Sequence, residues 1–266
     1  MQRNKENGGK DMKLRYPAEA FALGVVLFSS GMKEAFAAGI LTTLAVVFAE
    51  FLRNLLSELV PDWSLKLSVY IGTGAVCASA FLAGLTVLGM EAELPLWLMA
   101  FLLGLLAARH ALTGEIEAEY GDLFWECAIG WGFWILLAIA REFFATGEIF
   151  GNMFIEPVFH SNAFLEPYFG FITAGLVLAF TNGVLKKRCG NTQSLFLVIP
   201  LALFMRPFEV AAFGEVGGFI WTAIVPVILF ISVKKILRFS KTGMAYRGLP
   251  TEMLSMGFIY MILSIY

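Results

Sequence analysis

The residues able to do chemistry are few, and they sit at the ends of apolar runs. Arg109 and His110 close the run Leu96 to Leu112. An ionisable pair inside a hydrocarbon layer is expensive, so it marks either a functional site or the point where the helix leaves the layer. His110 titrates near neutrality and can relay a proton or give one ligand to a site completed by a partner. The plainer reading is a polar helix end beside Arg109. Arg206 follows the run Leu195 to Met205 and precedes Pro207. It can neutralise an anion or a carboxylate, or reach along the chain to an interface. Glu50 stands three residues before Arg53, the spacing of a pair on one helix face. Arg141-Glu142 reads as a structural charge pair at a helix end. Glu115, Glu117, Glu119 and Asp122 are acidic enough to draw cations, or form a solvated link. These choices define ion- or substrate-path candidates: Arg109, His110, Arg206 and Glu50. The sequence has no nucleotide-binding loop, Ser-His-Asp set, flavin-attachment motif or CxxC run. No catalytic residue and no metal site is assigned.

Those residues are set in a membrane protein. Of the 266 residues, 59% are hydrophobic and 15% charged, against about 45–50% and about 25% in soluble domains. A net charge of -2 argues against a nucleic-acid partner. Cys77, Cys127 and Cys189 are too far apart to form a CxxC pair or a disulfide framework. Cys77 and Cys127 lie in apolar runs and read as small buried hydrophobes. Cys189 follows Lys186, Lys187 and Arg188, as in a reducing cytoplasmic loop.

A spanning helix needs about 20 mostly apolar residues. The runs predict about nine segments: Pro17 to Ser30, Ala35 to Leu56, Leu65 to Leu88, Leu96 to Leu112, Leu123 to Phe144, Tyr168 to Leu185, Leu195 to Met205, Val216 to Val233 and Leu249 to Tyr266. The first, fourth and seventh are short. The runs therefore fall into three related triplets, each opening on an interrupted helix and each inverted relative to the next. Inverted repeats with broken helices are a recurring transporter and ion-site design. The predicted fold class is an all-α polytopic membrane protein. Residues 1–16 form a polar tail, 17–188 a six-helix domain and 189–266 a further three-helix unit. With Arg3, Lys5, Lys10, Lys13 and Arg15 in the cytoplasm, Arg53, Lys66, Arg109, residues 186–188 and residues 234–241 share that side. Lys33 is the main exception. The expected location is a bacterial or archaeal cytoplasmic membrane, with lipid as the surrounding partner.

Three segments carry a resemblance. Leu23 to Leu56 (LGVVLFSSGMKEAFAAGILTTLAVVFAEFLRNLL), Leu105 to Glu119 (LLAARHALTGEIEAE) and above all Ala140 to Gly151 (AREFFATGEIFG) are similar to the paired membrane subunits of Rnf and Nqr complexes. Tyr246 to Ile262 looks like the last helix of that family's partner subunit. The resemblance implies the family fold, with a third three-helix unit added to the usual six helices. It also implies partners: other Rnf/Nqr-type subunits or a paralogous membrane subunit. In that family each interrupted helix carries a cysteine, and two subunits together hold an iron centre. The matching positions here are Val26, His110 and Arg206. Thiolate ligation needs cysteine, so no cofactor is expected in this chain.

The expected function is that of a membrane subunit of, or associated with, an Rnf/Nqr-type ion-translocating electron-transport complex, without its own metal centre. As an enzyme it is at most a non-catalytic subunit. Two alternatives stay open: a stand-alone small-molecule or ion transporter on the same scaffold, and a non-catalytic assembly protein.

Overall fold

The computed structural model describes residues 16–89, 93–113, 120–153, 160–187, 193–206, 210, 213–236 and 243–265. The basic tail through Arg15, Glu91, the group Glu115, Glu117 and Glu119, and also Arg188, Cys189 and Pro207, lie outside the described residues. Among the described residues the helices are α1 (Ala18–Phe28), α2 (Met32–Leu56), α3 (Asp62–Val87), α4 (Leu94–Thr113), α5 (Tyr120–Thr146), α6 (Pro167–Leu185), α7 (Leu195–Met205), α8 (Gly214–Phe219), α9 (Val225–Ile236) and α10 (Leu249–Leu263). A π-type turn, Ile220–Ile224, joins α8 and α9 into one segment, Gly214–Ile236. The two short strands, β1 (Glu148–Ile149) and β2 (Asn152–Met153), form an antiparallel hairpin after α5.

Among the described residues six helices are long and apolar enough to cross a membrane: α2 to α6 and Gly214–Ile236. The chain is a multi-pass, all-α membrane protein. α1 and α7 have only 11 residues each. At 1.5 Å per residue each is about 16 Å long, about half of a 30 Å hydrocarbon layer. α4 differs from the expected short helix and runs unbroken for 20 residues. Its Pro95 sits in the first turn, where no N–H is needed. Its Gly104 lies so close to α3 that a Cβ there would come within 2.7 Å of the Thr73 carbonyl oxygen. That glycine serves the packing of α4 instead of ending it.

Local sequence explains both short helices. α1 ends at Ser29, and Gly31 takes an extended conformation before α2 starts. Any side chain on Gly31 would collide with the carboxylate of Glu34, 2.3 Å from the Cβ position. α7 ends at Arg206 in the left-handed region, φ 38°, and Pro207 follows, which cannot continue a helix.

α1 is the centre of the bundle. Nine of its 11 residues are buried, and α2, α4 and α6 pack around it. Gly24 on α1 brings Thr42 of α2, Leu103 of α4 and Trp134 of α5 within 3.6 Å of its Cβ position. α1 itself is therefore enclosed by protein, as far as the buried Ser29 that follows it. Side-chain contacts fix directions. Tyr16, Phe21 and Ser29 meet Glu126, Trp134 and Arg141 in turn, so α1 runs parallel to α5. α2 returns antiparallel to both, with the Trp131 indole donating to the Ala35 carbonyl at 3.3 Å. α7 runs parallel to α1: its start lies by Arg109 and its later residues lie by Val26. The end where α1 and α7 begin is called the lower end below, and the opposite one the upper end.

Candidate functional site at the helix breaks

The sequence candidates do not converge. Arg109, His110 and Glu50 lie at the lower end, whereas Val26 and Arg206 lie at or near the upper end of the short helices. Arg109 pairs with Glu19 of α1 at 3.1 Å and lies over the Phe196 ring of α7. Its role is to join the beginnings of both short helices to the end of α4. His110 is half-buried beside it. Glu50 is 1% exposed; Arg53 and the Tyr120 hydroxyl act on it, and its Oε2 has no hydrogen-bond partner. Arg53 itself donates to the Ala111 carbonyl at 2.8 Å. Arg206 is exposed, with its guanidinium 5.5 Å from the centre of the Phe219 ring.

The three positions matching the family's ligands, Val26, His110 and Arg206, thus offer a hydrocarbon, an imidazole at the other end of the bundle and a cation. Cys77 and Cys127 are buried on α3 and α5. No group of three or more His, Cys, Asp or Glu is placed to hold a metal among the described residues. Among the described residues the three positions Val26, His110 and Arg206 do not come together around one point.

The upper end holds a different constellation, centred on Arg141. This residue is 6% exposed, near the end of α5. Its Nε donates to the Phe164 carbonyl at 2.8 Å, and its Nη2 donates to the Glu166 carbonyl at 3.2 Å. Nη1 donates to the Ser29 hydroxyl. One guanidinium therefore ties the end of α1 to the turn that leads into α6. Every one of these acceptors is neutral. Among the described residues no carboxylate lies within ion-pair distance of it. The carboxylate whose charge reaches it is Glu34, which folds back over Gly31 and leaves its Oε2 without a hydrogen bond.

Glu142, the next residue, does not pair with Arg141. Its Oε2 accepts from the Met32 N–H at 2.8 Å, at the start of α2. Its Oε1 accepts from the Gly151 N–H at 3.0 Å, at the hairpin tip. A carboxylate suits a helix N-terminus, where N–H groups lack partners and the dipole is positive. The hairpin tip is tight: Phe150 and Gly151 both take positive φ, 59° and 72°, as a two-residue turn of this twist requires. Lys33 completes the clasp, its ammonium 5.3 Å from the centre of the Phe150 ring.

Beside Arg141 lies a cavity of about 110 Å³. Its walls come from both short helices and from the start of α6: Val26, Leu165, Phe171, Leu201 and Met205, with Ser30 and Arg141 as the polar groups. Close backbone contact frames it, since a Cβ on Gly170 of α6 would come within 2.5 Å of the Val26 carbonyl oxygen. Sequence reasoning located Arg141 and Val26 but missed Ser29, Ser30 and Glu34. The available signal was the polar interruption Ser29-Ser30-Gly31 between two apolar runs. It also missed Glu126, 2% exposed, which accepts from the Tyr16 N–H at 3.1 Å and pairs with Lys187. A carboxylate near the start of the run Leu123 to Phe144 was the signal there.

Compared with family models, curated proteins and solved structures, the chain matches none.

Proposed function

We propose that the chain is an integral membrane component of an Rnf/Nqr-type ion-translocating electron-transport complex, without a metal centre of its own. The observation that carries this reading is the meeting of two segments on which the resemblance rests. FSSGMK, at the break between α1 and α2, and AREFFATGEIFG, at the end of α5, are joined by Arg141 to Ser29, Glu142 to Met32 and Lys33 to Phe150. Residues that look like family motifs in the sequence share one structural task, which supports reading them as a set. The lower end gathers Arg53, Lys66, Arg109, Lys186, Lys187, Lys234, Lys235 and Arg247, which supports placing it in the cytoplasm.

The test is gentle solubilisation of the tagged chain from its native membrane, with co-purifying chains identified and iron and visible absorbance measured. Flavoprotein and iron–sulfur partners, with iron supplied by a partner's ligands, are the expected result. A colourless chain without such partners overturns the reading. One observation favours a second reading, a stand-alone transporter of small solutes or ions: a cavity bounded by two half-length helices and a buried cation, in the arrangement of broken-helix binding sites. Uptake by proteoliposomes of the isolated chain tests that reading, and a sealed, inactive vesicle sinks it.

A further inference from the structure

We propose that the cavity at the upper end binds a small monocarboxylate, whose carboxylate group meets the Arg141 guanidinium. The inference stands apart from the redox reading and holds for the chain alone.

A guanidinium carries five N–H donors. Three of those on Arg141 are engaged, by Ser29, Phe164 and Glu166, which leaves two. Neutral acceptors satisfy hydrogen bonds but do not cancel a full charge. The surrounding helix ends supply fractions of a charge only, and Glu34 does not come within ion-pair distance. A charge that is 6% exposed, with Glu34 acting on it only from beyond ion-pair distance, is disfavoured in an apolar setting. Burial of both partners in a planar guanidinium–carboxylate contact offsets that cost.

The cavity wall selects among anions. Val26, Leu165, Phe171, Leu201 and Met205 present hydrocarbon opposite the single cation and the Ser30 hydroxyl. Sulfate or phosphate would bring further negative oxygens against those apolar walls. A carboxylate with a short hydrocarbon stem matches both halves of the cavity. A space of 110 Å³ compares with the engineered cavity of about 150 Å³ that accepts benzene, so the ligand has about four to six heavy atoms inside. The carboxylate comes either from a free short-chain acid or from a fatty acid in the bilayer.

The experiment uses the full chain in nanodiscs of phosphatidylcholine, with carbon-14 butyrate as probe and equilibrium dialysis as readout. Saturable binding of one butyrate per chain is expected. Displacement by unlabelled acetate or propionate identifies a free acid as the source, and displacement by oleate alone identifies the membrane. Arg141→Lys keeps the charge but loses the fork, and should weaken binding at least tenfold. Leu201→Trp fills the cavity while leaving all three Arg141 hydrogen bonds in place. It should weaken binding at least tenfold with the melting temperature retained, so a folding defect in the first variant leaves the test intact. Absence of saturable butyrate binding overturns the proposal. So does unchanged binding in Leu201→Trp.

Discussion

The two ends of the bundle treat charge in opposite ways. Among the described residues three ion pairs join separate parts of the lower end: Arg109 with Glu19, Lys187 with Glu126 and Lys234 with Glu252. At the upper end Arg141 is more deeply buried than any of these cations, yet its hydrogen-bond acceptors are all neutral. Paired charges fasten the lower end. The upper end keeps its buried cation beside a cavity. The contrast teaches where to look for binding: a cation held in place by neutral groups is oriented without being neutralised.

The largest expected effect is at the upper end. Arg141→Ala removes three hydrogen bonds donated by a buried cation and leaves the buried Ser29 hydroxyl without that donor, so unfolding in a denaturing-detergent titration should become easier by about 3 kcal/mol or more. A loss of less than about 1 kcal/mol would break the comparison. Next comes Gly170→Ala, whose Cβ would meet the Val26 carbonyl oxygen at 2.5 Å. Overpacking of this kind costs about 2 kcal/mol, and a thermal melt of the purified protein checks it. Glu126→Gln should follow at about 2 kcal/mol or slightly less, because charge-assisted hydrogen bonds to a buried group are lost. Paired with Lys187→Met, it should show coupling in a double-mutant cycle. Additive losses would mean that this contact does not act as a pair. The smallest effect belongs to Arg109→Gln. Its side chain is 28% exposed and that of Glu19 is 16% exposed, so screening should keep the loss under about 1 kcal/mol. Raising salt should shrink it further, and a salt-independent loss would show that the Phe196 contact carries the effect.

The helices were legible because their apolar runs are long and their stops are local. Ser29-Ser30-Gly31 and Arg206-Pro207 mark the ends of α1 and α7 by composition alone. α4 was harder: the run Leu96 to Leu112, closed by Arg109 and His110, read as a short interrupted segment, and the structure shows one unbroken helix of 20 residues. Arg141 and Glu142 stood out as adjacent opposite charges, which invites pairing. On a helix, however, adjacent residues point about 100° apart. Each therefore serves a different neighbour, Arg141 the end of α1 and Glu142 the start of α2. Those partners are about 110 residues away in the chain, and no local pattern names them. Arg109 and Arg206 look alike as helix-end arginines, yet one is locked in an ion pair and the other lies on a ring near the far end of α7. Only the direction of each helix separates them.

The hairpin after α5 has a mechanical consequence. Its tip is pinned by Glu142, which also grips the first turn of α2, and Lys33 rests on Phe150 from the other side. The first and second triplets are thus riveted together at the upper end. Among the described residues no comparable hydrogen bond ties the third triplet there. That triplet lies along α6 through α10, where Gly175 and Gly257 let backbones touch. Across that close seam the third triplet brings Leu201 and Met205 of α7 to the cavity that Arg141 of the second triplet also lines, so the cavity wall is shared between triplets.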